Sequence, residues 1–144
     1  VQFYKIALAI SVSSFLHLIF IINFILDLDT FYAPKYVIPI AGMILANSMN
    51  VLSIAIERFV NEISRNESFE IARNTAFKSA LIPQINSLLA VGLVSLPGMM
   101  TGQILSGVDP LIAVRYQIMV MATILSSAEI SMVIYFILKE KSIK

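Results

Sequence analysis

The sequence predicts an all-α fold, a polytopic transmembrane helical bundle of about four membrane-spanning helices with one helix broken near Pro97. Three observations lead there. Apolar residues fill 58% of the 144 positions and charged residues only 13%, where soluble domains run near half apolar and about a quarter charged. Four apolar stretches, residues 6–26, 36–56, 81–105 and 111–138, each reach the roughly 20 residues that carry a helix across a bilayer. The basic residues fall between and beyond these stretches in alternation. Within lipid the backbone has no external hydrogen-bond partner, so an open chain crosses only as helix.

The first stretch, 6–26, is too long for a signal-peptide core and is followed by no small-x-small cleavage site. Lys5 precedes it. The second, 36–56, is followed by Arg58, Arg65, Arg73 and Lys78, and the fourth by Lys139, Lys141 and Lys144. If all four stretches span, these eight of the ten basic residues lie on one side, against Lys35 and Arg115 on the other. The excess of Lys and Arg on cytoplasmic loops then places both termini and residues 57–80 in the cytoplasm. A cysteine at Asn66 is expected to label only from the cytoplasm and one at Thr30 only from outside; labelling of both from the same side would remove the four-span topology.

Residues 57–80, ERFVNEISRNESFEIARNTAFKSA, are the one sizeable polar segment. Ile56, Phe59, Val60 and Ile63 recur at helical spacing, as do Phe69, Arg73, Ala76 and Ala80. Ser64 and Glu67 fit a capping box opening the second of these helices. The segment reads either as two helix extensions at the membrane surface or as a docking element for a cytoplasmic partner. In the second reading Phe59, Ile63 and Phe69 are apolar anchors and Arg58, Arg65 and Arg73 steer the approach.

Polar residues inside apolar stretches are costly, and therefore informative. Asn47 and Asn50 lie three apart on one side of the second helix, and Gly42 with Ala46 forms a small-xxx-small step for close helix approach. The amides either line a pathway or bond neighbouring helices. Asn86 and Ser87 follow Pro83 near the start of the third stretch. That stretch carries SLPGMMTGQILSG from Ser95 to Gly107. Pro97 removes a helical hydrogen bond, and Gly98 and Gly102 loosen the backbone around it. A broken membrane helix exposes backbone groups that can bind ions where protein or water surrounds them. Thr101 and Gln103 offer oxygen, and Met99 and Met100 offer soft sulfur that suits copper(I)-like metals; the same methionines serve as gap-fillers in a core. Glu129 extends a stripe with Thr123 and Ser126 on the fourth stretch. It either faces a pathway or pairs with a basic group near the boundary.

Cysteine is absent and His17 is the single histidine, which excludes thiolate chemistry and a histidine cluster within this chain. There is no HExxH pattern and no phosphate-binding loop, so the chain is expected to be no enzyme, to bind no cofactor, and to rely on another chain for any ATP hydrolysis. No nucleic acid is expected as a partner.

The run LIPQINSLLAVGLVSLPGMMTGQILSGVDPLIAVRYQIMVM, residues 81–121, closely resembles the iron-export permease family, the FetB-type membrane subunits of ABC transporters, to which plant aluminium-sensitivity permeases also belong. IAGMILANSMNVLSIAIERF, residues 40–59, is similar to that family's preceding helix. The resemblance implies a single permease domain over 1–144 in a bacterial inner membrane. It further implies a cytoplasmic ATP-binding subunit, two copies of each chain, and export of iron or another metal. It also implies further helices ahead of residue 6, in keeping with a chain that begins at Val1, so that this is the C-terminal part. Family members carry an LALGAT-like motif in the cytoplasmic segment where this chain has SRNES. The alternatives are a structural or regulatory membrane subunit without a pathway, or a passive channel. Co-purification of an ATP-binding subunit separates them.

Overall fold

The computed structural model describes residues 2–25, 34–91 and 97–142. Helix α1 spans Gln2–Phe20 and ends in a π-helical turn, Ile21–Ile25; α2 is Pro34–Ser64, α3 Phe69–Ala90, α4 Gly98–Leu105 and α5 Pro110–Glu140. The fold is the helical bundle expected. Among the described residues, three helices are long and apolar enough to cross a membrane: Gln2–Asn23, Val37–Ser64 and Pro110–Glu140. Large apolar side chains remain exposed along their outer faces, among them Phe15, Leu45, Met49 and Ile118, as a lipid-facing surface requires.

The expected third span is divided. Residues 81–90 continue α3, whose cap Val91 is extended with ψ 127°. Helix α4 starts afresh with Pro97 as an extended N-cap, ψ 136°, and residues 92–96 lie outside those described. Proline cannot supply the N–H of an i→i−4 bond, and it disfavours helix at the residue before it. The interruption begins at Val91, earlier than Pro97 alone requires.

The α2–α3 connection corrects the capping-box reading. Glu67 N–H donates to Glu62 O (3.3 Å) and Asn66 N–H to Ile63 O (3.0 Å), with Asn66 left-handed at φ 63°. This is the paired bonding of a Schellman close. Residues 64–67 therefore terminate α2 instead of opening α3, and Ser64 Oγ donates back to Asn61 O. The N-cap of α3 is Ser68, whose Oγ accepts from Ile71 N–H at 3.3 Å. Helix α4 ends in the same motif, with Gly107 at φ 89° and Val108 N–H on Gln103 O. Asp109 then caps α5 through Leu111 N–H (2.8 Å) and Ile112 N–H (3.3 Å), with Pro110 in the first turn.

Two apolar clusters give the bundle two ends. One joins Ala9 and Ile10 of α1, Val51 to Phe59 of α2, Ala72, Ala76 and Ala80 of α3, and Ala128 to Phe136 of α5. There Phe59 stacks edge-on to Phe69 and against Phe136, each at 5.2 Å, and Gln2 Nε2 donates to Tyr135 Oη (3.2 Å). The other cluster joins Ile21, Ile40, Ile44 and Val120. Lys5, Arg58, Arg65, Arg73, Lys78, Lys139 and Lys141 therefore gather toward the first end, and Arg115 lies toward the second.

Between the clusters the three long helices meet at serines. Ser13 Oγ donates to Ser127 O (2.7 Å), and Ser127 Oγ lies 3.3 Å from Ser13 Oγ and 3.4 Å from Ser48 Oγ. Small side chains let the backbones approach, and the hydroxyls find partners across helices. The Gly42–Ala46 step is not such a seam within the chain: both residues are exposed, and a Cβ on Gly42 would meet nothing within 4 Å. The close α2–α3 seam is instead Ala72, Ala76 and Ala80, all fully buried with Ala55.

Candidate functional site

Beside the serine junction, α2, α3, α5 and the N-terminus of α4 line an open pocket of about 380 Å³. Helix α2 contributes Asn47 and Asn50, α3 contributes Gln84 and Ser87, Pro97 closes one side, and α5 contributes Gln117, Met121 and Ile124. A second cavity of about 320 Å³ shares Val91, Pro97, Gln117 and Met121 with it and adds Met100. None of the described lining residues of either is ionisable.

Each polar side chain is aimed by its helix. On α3 the buried stripe Ala72, Ala76, Ala80 continues at helical spacing through Gln84, Ser87 and Val91, so the face that packs α2 becomes the pocket wall. On α5 the buried stripe Ala113, Gln117, Val120 and Ser127 carries Gln117 inward. Asn47 Nδ2 donates to Ile124 O at 3.5 Å, tying α2 to α5 at the pocket edge. Gln117 is 9% exposed, and its Oε1 receives no hydrogen bond from the described residues.

The pocket thus brings together Asn47 and Asn50 from the expected pathway residues with Pro97 from the expected helix break. Asn86 is exposed and stands off the pocket; its neighbour Ser87 takes the wall position. Ser95 lies outside the described residues. Met99 packs against the Ile21–Ile40 cluster, whereas Met100 is buried at the second cavity, so the two sulfurs meet different surroundings. Thr101 Oγ1 donates to Pro97 O (3.2 Å), bracing the first turn of α4. Gln103 Oε1 is buried without a hydrogen-bond partner among the described residues. A Cβ on Gly98 or Gly102 would meet nothing within 4 Å. Glu129 is half-buried and lies one turn beyond Ser126. With Thr123 and His17, Ser126 lines a separate groove of about 570 Å³ between α1 and α5. Glu129 is not brought to the amides. No group of three His, Cys, Asp or Glu occurs among the described residues.

Sequence reasoning passed over Gln84 and Gln117. The signal was present: each is an amide in an apolar stretch, the criterion that singled out Asn47, and each continues a buried helical stripe.

The 57–80 segment is a helical hairpin. Phe59, expected as an outward anchor, is 4% exposed and belongs to the core; Phe69 is half-buried on it. Ile63 is exposed, as are Val60 and Ile71. Arg58 and Arg65 both lean on the buried carboxylate of Glu62, at 2.7 and 3.7 Å, and Arg73 bonds Asn74.

A Synechocystis membrane protein, slr1647, is 37% identical over 86% of this chain and 54% of its own length. The Escherichia coli probable iron export permease protein FetB is 38% identical over 72% of this chain and 46% of its own. The Arabidopsis protein ALUMINUM SENSITIVE 3 is 33% identical over 69% and 42%. The chain spans about half the length of the curated relatives it matches. No solved structure matches it. The family model described as uncharacterised protein family UPF0014 matches residues 1–143, and the chain belongs to that family, whose named relatives include membrane proteins.

Proposed function

We propose that this chain forms part of the membrane permease of an ABC transporter that exports iron or another metal, with ATP hydrolysed on a separate cytoplasmic subunit. The observation that carries the reading is the uncharged polar pocket held between apolar helices beside a broken one. Amides on membrane-spanning helices are costly unless they meet a neighbour or a passing ligand. The name of the Escherichia coli relative supports the cargo.

In this reading the basic end of the bundle faces the cytoplasm of a bacterial cell, in keeping with the positive-inside rule. The permease works as a homodimer with two ATP-binding subunits docked on the α2–α3 hairpins. The docking face is the exposed set Val60, Ile63 and Ile71 with Arg73 beside it. Helix α2 runs unbroken from that hairpin to Asn47 and Asn50, so a push at one end reaches the pocket without an intervening hinge.

The test is the double variant Asn47→Leu, Asn50→Leu in the full-length protein, co-expressed with its ATP-binding subunit in metal-loaded cells. Losing hydrogen bonds worth about 1 kcal/mol each lowers export by about tenfold or more. Unchanged export at normal membrane abundance would remove the pocket from the pathway.

A further inference from the structure

Glu62 is a residue that stability alone would not choose. It lies in the last turn of α2, where the helix dipole disfavours a carboxylate. It is 7% exposed, and burying an ionised carboxylate carries a desolvation cost that ion pairing does not always recover. Both its partners are arginines: Arg58 Nη2 at 2.7 Å and Arg65 Nη1 at 3.7 Å meet the same oxygen, Oε1. Arg58 precedes Glu62 by four residues, the less favourable order of an i,i+4 pair. The arginine side chains keep 39% and 66% of their surface in solvent, so neither depends on Glu62 to offset its charge.

What Glu62 does hold is the turn. Residues 64–67 are exposed, and their bonds run back to the last turn of α2. Glu62 O accepts from Arg65 N–H (3.1 Å) and Glu67 N–H (3.3 Å), and Ile63 O accepts from Asn66 N–H (3.0 Å). Ser64 Oγ donates to Asn61 O (2.7 Å). The Arg65 side chain adds a charged tie to the same residue. Glu62 thus gathers the turn through both its carbonyl and its carboxylate. It stands three residues beyond Phe59, on the covered face of α2, so the turn is anchored to a part of the helix that the core already holds.

We propose that Glu62 is a positioning residue for coupling. It fixes the tip of the hairpin to α2, so that a load applied there by a docked ATP-binding subunit moves α2, and with it Asn47 and Asn50, instead of bending the turn. The exposed side chains Val60 and Ile63 flank Glu62, so the docking face and the tie share one turn of helix. The inference rests on the permease reading and adds to it the residue at which the load enters α2.

The test uses inside-out membrane vesicles holding the full-length permease with its ATP-binding subunit, and reads iron(II) taken up per ATP hydrolysed. Glu62→Met keeps the side-chain length and removes the charge. It is expected to melt no lower than the wild type, because a buried charge is replaced by an apolar group. It is expected to hydrolyse ATP at the wild-type rate and to move about threefold less iron per ATP; a partly exposed ion pair is worth up to about fivefold in an equilibrium constant. Arg65→Met is expected to lower the ratio likewise. Glu67→Gln, which alters a turn side chain and keeps the backbone bonds, is expected to leave it unchanged. An unchanged ratio in a folded Glu62→Met protein overturns the inference and leaves the permease reading intact. A lowered melting midpoint, with uptake falling only in step with protein abundance, also overturns it, since Glu62 then serves the fold alone. Absence of ATP-driven iron uptake by the wild type overturns the permease reading itself, and the inference with it.

Discussion

Phe59→Ala is expected to destabilise the bundle by about 3–5 kcal/mol, the range for emptying a buried phenylalanine site, whereas Ile63→Ala, one turn further along α2, is expected to change stability by less than about 0.5 kcal/mol. The two residues share a helix and a hydrophobic character, and differ in what they face. Phe59 is 4% exposed and its ring meets Phe69 and Phe136 at 5.2 Å each. Phe136 in turn touches Phe77 and Tyr135, so one truncation opens a cavity shared by α2, α3 and α5. Ile63 is 41% exposed, and its removal opens no cavity. Thermal unfolding in detergent and capture of the proposed ATP-binding subunit separate the two roles. Phe59→Ala should lower the melting midpoint; Ile63→Ala should leave it and weaken capture. A Phe59→Ala protein with an unchanged midpoint and lost capture would return Phe59 to the docking face.

That contrast marks where the sequence was legible. The three long helices were, because an apolar run of spanning length admits one backbone solution in lipid. The break before α4 was legible only in part: Pro97 removes a helical N–H, yet Pro39 and Pro83 sit inside α2 and α3, so a proline alone does not decide where a helix stops. The start of α5 follows from Asp109 and Pro110, a cap and a first-turn proline in sequence. The end of α2 was not. SRNES holds two serine caps, and Ser64 with Glu67 reads as well as Ser68 with Ile71. What decides is Asn66 in the left-handed region, which spends the Glu67 N–H on closing α2.

In the site, residue type was legible and rotation was not. Asn86 and Ser87 are neighbours, and about 100° of helix turn separates an outward side chain from a pocket wall. The rotation of α3 is set by Ala72, Ala76 and Ala80 seating on α2, and counting forward in turns from that stripe reaches Gln84 and Ser87 instead of Asn86. The same count on α5 from Ala113 reaches Gln117, and it leaves Glu129 on the flank of the α1 groove. Phe59 was misplaced for a related reason. Anchors chosen by hydrophobicity alone include those that a third helix covers, and α5 returns to the hairpin from 77 residues away in sequence to cover this one.

Ser127→Leu is expected to disrupt assembly far more than Ser127→Ala, and the difference measures how closely the three long helices meet. Alanine removes the Oγ contacts to Ser13 and Ser48, at 3.3 and 3.4 Å. It leaves the 2.7 and 2.8 Å bonds that Ser13 and Ser131 donate to the Ser127 carbonyl. Interhelical hydrogen bonds in membranes average about 0.6 kcal/mol, so the alanine protein should lose about 1 kcal/mol or less. Leucine adds a branched side chain at a fully buried position where backbone approach is close enough for Ser13 to reach the α5 carbonyl. Overpacking costs about 1–3 kcal/mol in ordinary cores, and here relief requires α1 or α2 to move away from α5. Moving α2 also draws Asn47 from Ile124 O, opening the amide pocket on its α5 side. The leucine protein should therefore lose folded yield and, on the permease reading, metal export, and the alanine protein neither. Equal melting midpoints for the two would mean that the junction has room for the three carbons by which leucine exceeds alanine, and that close approach at the serines is not what brings the helices together.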